Sequence, residues 1–165
     1  MNFTRAIKHL FYPGWWLRRD FPANELNNIE ASIKASESKH SGEIRFAIES
    51  SLPLKALLRD EPMQERAIEV FSLLRVWDTE NNNGILIYLL LADKKVEITA
   101  DRNINKAVEQ TEWDRICHQM EQAFKAKQFG QGITTGVEEI SKLLELYFPS
   151  EKNDKDELPN KPVIL

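Results

Sequence analysis

The feature that most constrains the fold is an apolar run of eight residues, Ile85 to Ala92, in the middle of the chain. Side chains alternate between the two faces of a strand, so a strand that is apolar at every position has both faces covered. A tight turn, Asp93-Lys94, follows, and residues 95–101 then alternate apolar with polar side chains. The sequence therefore predicts a central buried strand joined by a hairpin to an antiparallel partner.

Periodicity elsewhere places five further elements around this hairpin. Ile44, Phe46 and Ile48 alternate with polar residues and predict a half-buried first strand. Apolar residues at helical spacing predict one helix before this strand, one between it and the central strand, and two after the hairpin. A helical crossover makes the first and central strands parallel. The expected fold class is α/β, a three-layer α/β/α sandwich with a small mixed sheet of a parallel crossover plus an antiparallel hairpin.

Composition divides the chain of 165 residues into three parts. Residues 1–22 form a basic, aromatic-rich leader, residues 23–149 carry the periodic elements of one domain, and residues 150–165 form a polar tail expected to be flexible. No signal peptide is recognisable, and no apolar run approaches the roughly 20 residues that cross a bilayer. The single cysteine, Cys117, allows no internal disulfide, so the cytoplasm is the expected compartment. The net charge of −4 argues against nucleic acid as a partner.

The predicted topology brings several polar residues to one rim of the sheet. The central strand begins near Gly84 and its antiparallel partner ends near Asp101, so these two points lie together. Asp78, Asn83 and Asp101 are therefore candidate ligands for a metal ion, because carboxylate and amide oxygens suit hard cations such as Ca²⁺ or Mg²⁺. The alternative is that the acidic and asparagine side chains of residues 78–83 only stabilise an exposed turn.

Two further residues of this rim are candidates for contact with an anion or a partner. Arg102 either neutralises the neighbouring Asp101 or holds an anion, and Asp101 in turn either closes the strand or caps the next segment. The first strand begins at the same rim and brings His40 near, either as a proton carrier or ligand or as a packing residue.

The leader combines tryptophans with cations. Trp15, Trp16, Arg18 and Arg19 are adjacent, which is typical of contact with a membrane surface that carries anionic lipid, or with a protein partner. The alternative is that the tryptophans fold back and cover an open face of the domain.

Three stretches of the chain resemble the TPM domain family in their order and spacing. The resemblance covers about residues 26–149 and rests most on Asn83-Gly84 opening an apolar strand and Asp101-Arg102 ending the next. The stretches are HSGEIRFAIES, RAIEVFSLLRVWDTENNNGILIYLLLADKKVEITADRNI and WDRICHQMEQAFKAKQFGQGITTGVEEISKLLELYFP.

The resemblance implies an α/β/α sandwich and several functions known among family members. These are weak acid phosphatase activity, calcium binding, and assembly or repair of membrane complexes; bacterial relatives are often encoded beside proteins of the LemA family. The chain departs from the family pattern at Asn103, where relatives usually carry glycine. It also lacks the signal peptide and C-terminal membrane helix of many members, and its loop acids are reduced to Asp78 and Glu80.

Taken together, these observations favour a soluble TPM-domain binding or accessory module over an enzyme. It is expected in the cytoplasm, peripheral at the inner membrane, where it assists a membrane-associated complex with a LemA-like or other membrane-associated protein as partner. A weak Ca²⁺ or Mg²⁺ site is the expected cofactor site. The alternative is a metal-dependent, acid phosphatase-like phosphomonoester hydrolase, which needs a nucleophile or a metal-bound water within reach of a phosphate.

Overall fold

A computed structural model of the protein describes residues 3–12, 14–150 and 155–165. Residues 1, 2 and 13 of the predicted leader and residues 151–154 of the predicted tail lie outside the described residues. Within the described part the chain forms α1 (Phe3–Leu10), α2 (Trp15–Asp20), α3 (Ala23–Glu37), β1 (Glu43–Glu49), α4 (Leu54–Leu58), α5 (Met63–Leu73), β2 (Gly84–Leu90), β3 (Lys95–Ala100), α6 (Arg102–Ala107), α7 (Gln110–Lys125), α8 (Phe129–Tyr147) and β4 (Val163–Ile164).

The strands form one mixed sheet in the order β3-β2-β1-β4. The β1 strand is parallel to β2, with Glu43 opposite Gly84, and β3 is antiparallel to β2, with Ala100 opposite Ile85. The predicted parallel crossover and antiparallel hairpin are therefore both confirmed, and the predicted order of helices and strands is found in α3, β1, α5, β2, β3, α7 and α8.

Helices cover both faces of the sheet, as the apolar run at β2 requires. One hydrophobic cluster packs α3, α7 and α8 against side chains such as Ile44 and Ile87. A second packs α4 and α5 against alternate residues of the same strands, among them Leu86 and Tyr88. Every residue of β2 is buried, and the α/β sandwich is confirmed.

The position of Gly84 at the start of β2 has a steric cause. A Cβ atom placed on Gly84 would lie 2.0 Å from the carbonyl oxygen of Val76, which is backbone and cannot move aside as a flexible side chain can. Only glycine admits this close approach. The loop before β2 is thereby held tightly against the first residue of the central strand.

The end of the chain differs from the flexible tail predicted for residues 150–165. Residues 155–165, here called the tail segment, run back along the sheet, and Val163–Ile164 form β4 parallel to β1. Leu158 is buried in the second hydrophobic cluster, and the Leu165 N–H donates to the Ile48 carbonyl at 2.9 Å. A few apolar side chains and backbone hydrogen bonds outweigh the polar composition of the segment.

Candidate functional site

The candidate site lies at the rim where β2 begins and β3 ends. The Asp101 N–H donates to the Gly84 carbonyl at 2.8 Å, so the residues that flank the hairpin lie side by side. The Glu43 N–H donates to the Asn83 carbonyl at 3.1 Å and brings the start of β1 to the same place. Asn83 and Asp101 therefore meet at this rim, where the predicted topology put them.

Asp101 is 6% exposed, and one of its two carboxylate oxygens accepts a backbone hydrogen bond. Its Oδ1 accepts a hydrogen bond from the Arg102 N–H at 2.6 Å and caps α6, as an aspartate at this position favours. Its Oδ2 is buried and has no hydrogen-bond partner among the described residues. One carboxylate oxygen is thus engaged by the helix, while the acceptor capacity of the other is unused among the described residues.

Asn83 is 2% exposed and is held in a fixed orientation by two hydrogen bonds. Its side-chain amide donates to the carbonyl oxygen of Ser41, and its backbone N–H donates to the Thr79 hydroxyl at 3.1 Å. The side-chain oxygen, Oδ1, is buried without a hydrogen-bond partner in the described part of the chain. The rim therefore holds a second oxygen, like that of Asp101, with unused acceptor capacity.

A cleft of about 670 Å³ opens at this rim. Asn83 lines it together with Ser41, Asn103 and the carboxylates of Glu80 and Glu157. The Glu80 N–H donates to the Glu157 carboxylate at 3.0 Å, so the tail segment forms one wall. The cleft is lined mainly by polar groups, which suits an ion or a small polar ligand better than an apolar one.

Asp78 and Arg102 are both predicted for this site, but Arg102 lies beside Asp101 and Asp78 pairs with a residue away from it. Asp78 is exposed, forms an ion pair with Arg75 at 2.5 Å and is not part of the cleft lining. Arg102 lies beside Asp101, with its Nε 3.6 Å from Oδ1, and it donates to the Asn82 side-chain oxygen at 2.5 Å. The Arg102 side chain is 79% exposed, so it can reach an anion in solution.

His40 lies beneath the rim and is 1% exposed. Burial lowers its pKa to about 4, so the imidazole is neutral at neutral pH. Neither ring nitrogen has a hydrogen-bond partner among the described residues. A neutral, enclosed ring has no charge with which to attract an anion, and the geometry here favours the packing role over the ligand role.

A cluster of three carboxyl groups, Glu37, Glu43 and Asp156, was not anticipated from the sequence. Oxygen atoms of the three lie within 4.8 Å of one another. Glu37 accepts the Ile44 N–H at 2.8 Å, and Glu43 accepts the Leu158 N–H at 3.0 Å. Burial raises the pKa of Glu37 to about 8 and that of Glu43 to about 7, so protons near neutral pH relieve the repulsion. The cluster holds the tail segment against β1.

The leader residues predicted for membrane or partner contact are divided between core and surface. Trp15 is 63% exposed, and Arg18 and Arg19 are also exposed. Trp16 is half-buried, and the Arg19 guanidinium carbon lies 5.1 Å from the centre of its ring. Leu17 is buried in the core. Part of the leader therefore covers the domain, as one of the two alternatives expects, and part faces outward; contact of the outward part with a membrane or partner stays a prediction.

Helix α1 is attached to the domain through the turn between β2 and β3. Asp93 in this turn contacts Arg5 at 3.0 Å, Lys8 at 3.2 Å and the buried His9 at 3.1 Å, while His9 Nδ1 accepts the Leu52 N–H at 3.0 Å. Burial alone would raise the pKa of Asp93, but hydrogen bonds from His9 and Arg5 hold it well below its usual range. Asp93 is therefore ionised at neutral pH and ties α1 to the sheet.

The fold and the rim define a class of α/β/α sandwich domains, and comparison with known proteins identifies the family. The family model described as TPM domain matches residues 21–143. The chain belongs to the TPM domain family. No curated protein matches the chain. No helix among the described residues is long and apolar enough to cross a membrane.

Two solved structures are similar to this chain. The NMR structure of the BA42 protein from the psychrophilic bacterium Bizionia argentinensis is 34% identical, with 87% of this chain and 94% of that chain covered and a TM-score of 0.77. The N-terminal domain of a protein from P. gingivalis, also solved by NMR, is 19% identical, covers 76% of this chain and 77% of that chain, and has a TM-score of 0.63. The second likeness concerns the fold alone.

Proposed function

We propose that this TPM-domain protein is a binding module that takes a divalent cation, Ca²⁺ or Mg²⁺, at the rim between Asn83 and Asp101. The observation that carries the proposal is the pair of buried side-chain oxygens, Asn83 Oδ1 and Asp101 Oδ2, that have no hydrogen-bond partner in the described chain. Leaving a buried polar atom unpaired costs about 1–3 kcal/mol. A cation that accepts both oxygens as ligands removes this cost.

The donor set fits a hard cation that binds weakly. Carboxylate and amide oxygens with added water are the ligands that Ca²⁺ and Mg²⁺ take in proteins. Affinity rises with the number of charged ligands, and Asp101 supplies a single carboxylate whose other oxygen caps α6. Glu80 and Glu157 in the cleft wall add negative potential, which Lys155 of the same wall offsets in part. We therefore expect binding in the millimolar range.

A hydrolase acting on phosphomonoesters is the second candidate, favoured by a second cavity of about 400 Å³ that Arg102 and Lys106 line together with Glu80. Its metal would have to activate water, and an adjacent cation would have to hold the phosphate. Arg102 is the cation closest in sequence to Asp101, and it donates to Asn82. That contact supports a binding role for the rim over a catalytic one. We expect no phosphomonoester turnover above background with either metal.

Thermal unfolding with and without millimolar CaCl₂ or MgCl₂ tests the binding function. A ligand present at ten times its dissociation constant stabilises the native state by about 1.4 kcal/mol, which raises the Tm of a chain of this size by about 3–6 °C. Asp101→Asn is expected to abolish this rise. Asparagine also caps helices well, so α6 and the folded state should be retained.

Two further variants complete the thermal experiment. Asp114→Asn changes an exposed carboxylate on α7 and should leave the metal-dependent rise intact. Asp78→Asn should reduce it little, because Asp78 is paired with Arg75 outside the cleft. Equal Tm values with and without either metal would contradict the proposal. Phosphomonoester turnover that is lost in Asp101→Asn would replace it with the hydrolase function.

A further inference from the structure

A second surface, distant in sequence from the rim residues, carries exposed apolar side chains on three short helices. Ile7 and Leu10 of α1 and Phe11, the residue after it, are 43%, 61% and 81% exposed. The Phe11 N–H still donates to the Ile7 carbonyl, so the spacing of three and four residues puts the three side chains on one face. On α4, Leu54 and Leu58 are also exposed and share a face for the same reason.

Helix α1 contacts α4. Helix α2 follows α1 in the chain, and its first residue, Trp15, is 63% exposed. These six side chains, Ile7, Leu10, Phe11, Trp15, Leu54 and Leu58, are called the leader surface below. Contiguous apolar side chains on the outside of a protein mark an interaction surface.

The charge around the leader surface is opposite in sign to that of the chain as a whole. The three helices carry Arg5, Lys8, Arg18, Arg19 and Lys55 and the single acid Asp20, whereas the whole chain has a net charge of −4. Arg5 and Lys8 are paired with Asp93 of the turn between β2 and β3. Asp20 is paired with Arg19 at 2.8 Å. Exposed apolar side chains on helices that also carry cations, with tryptophan among them, match the boundary between the headgroups and acyl chains of an anionic bilayer.

The leader surface is held in place before any partner arrives. His9, on the opposite side of α1 from the exposed residues, is 2% exposed and bonds to both Leu52 and Asp93. On α4, Ala56 and Leu57 are buried in the second hydrophobic cluster. The exposed side chains therefore project from helices that are fixed to the domain, and no ordering of a loose segment opposes docking.

We propose that the leader surface docks this protein on a lipid bilayer with anionic headgroups. In this geometry Phe11, Leu10 and Trp15 enter the headgroup boundary while Arg18 and Lys55 face the lipid phosphates. The inference goes beyond the cation site, because it uses none of the rim residues and is tested without metal.

Co-sedimentation of the full chain with vesicles tests this proposal. Vesicles of phosphatidylcholine with phosphatidylglycerol should bind the protein, and vesicles of phosphatidylcholine alone should bind it much more weakly. Removing two cations in Arg18→Gln with Lys55→Gln should weaken binding to the anionic vesicles by about 25-fold, since each cation near the surface contributes about five-fold. Lys106→Gln with Lys125→Gln removes two exposed cations outside the three helices and should change binding little.

The apolar contribution is tested by Phe11→Glu against Leu146→Glu. Both side chains are strongly exposed, at 81% and 71%, so neither change removes core packing, and the Tm of each variant should match that of the parent. Phe11→Glu should abolish vesicle binding, and Leu146→Glu, near the end of α8, should retain most of it.

Three results would overturn the proposal. The first is an absence of binding to anionic vesicles, and the second is equal binding by Phe11→Glu and Leu146→Glu. The third is a dimer in sedimentation equilibrium that Phe11→Glu dissociates, which would show that a second copy of the chain covers the leader surface in place of lipid.

Discussion

Replacing Glu37 by glutamine is expected to stabilise the protein at alkaline pH and to flatten the pH dependence of its stability. Glu37 is the last residue of α3, where the helix dipole disfavours a negative charge. Its Oε1 accepts the Ile44 N–H at 2.8 Å, and its Oε2 is buried without a hydrogen-bond partner in the described chain. Glutamine keeps the acceptor for Ile44 and removes the charge.

The groups that face Glu37 come from β1 and the tail segment. Burial is the main cause that raises its pKa from 4.5 to about 8, and the nearby carboxylates of Glu43 and Asp156 raise it further. The Ile44 N–H and the Asn160 side chain act in the opposite direction. Arg45 is near enough for its own pKa to be affected by Glu37, but it does not reverse the shift.

The sign of the pH effect follows from the raised pKa. The folded state binds the Glu37 proton more tightly than the unfolded state does, so this contribution to stability is complete below about pH 4.5 and is lost as the pH rises through about 8. One pKa unit corresponds to about 1.4 kcal/mol, which puts the upper bound near 5 kcal/mol. Water entry and rearrangement at a partly exposed carboxyl reduce this, and we expect a loss of about 1–3 kcal/mol between pH 5 and pH 9.

Urea unfolding at several pH values between 5 and 9 measures this loss in the parent and in Glu37→Gln. The free energy of unfolding of the parent should fall with pH by more than that of the variant, and the variant should be the more stable protein at pH 9. Glu138→Gln removes an exposed carboxylate from α8 and should follow the parent. If the parent and Glu37→Gln lose stability in parallel, the carboxyl cluster does not titrate as described.

Three further changes follow from the packing of the domain. Gly84→Ala should lower the free energy of unfolding by about 2–4 kcal/mol in urea unfolding, because its Cβ would collide with the Val76 carbonyl. Glu49→Gln should cost about 1–3 kcal/mol in the same assay, since it removes the carboxylate that holds the half-buried Arg66 through two hydrogen bonds and leaves Arg66 paired with Glu69. Burial raises the pKa of Cys117 to about 12, so a thiol reagent at pH 8 should label it slowly in the native protein and rapidly in urea.

Control substitutions show whether these losses of stability come from the named contacts or from any substitution of the same kind. Gly14→Ala should be nearly neutral, since a Cβ there has nothing within 4 Å. Gly84→Ala with the stability of Gly14→Ala would refute the steric explanation. Labelling of Cys117 at equal rates in native buffer and urea would show that the thiol is not protected by the fold.

The sheet could be predicted from the sequence because the strands have distinct patterns. A strand apolar at every position, such as β2, must be central, and the alternation of β3 makes it the outer partner. Parallel and antiparallel pairing then determine which strand ends meet, so the sequence pattern alone puts the start of β2 and the end of β3 at one rim. Such a prediction is possible because the position of a strand end depends on the direction of the strand and not on the contacts of individual side chains.

Contacts between distant parts of the chain could not be predicted in this way. Leu158 lies in a polar segment without a periodic pattern of apolar residues. Its burial follows only from the packing of the tail segment against β1. The carboxyl cluster depends on that docking. In the same way His9 and Asp93 are 84 residues apart, and neither position has a pattern that indicates the other. Tertiary packing brings these residues together, and the local sequence pattern around each residue does not predict the contact.

Titration of the ¹⁵N-labelled protein with CaCl₂ and with MgCl₂, followed by amide chemical shifts, tests the central claim most directly. The cation site at Asn83 and Asp101 predicts saturable shifts in the millimolar range at residues 82–84 and 101–103, lost in Asp101→Asn and retained in Asp114→Asn. Shifts that fail to saturate at this rim, or that persist unchanged in Asp101→Asn, would contradict the account. Saturable shifts at Glu37 and Glu43 instead would place the ion in the carboxyl cluster and would equally refute it.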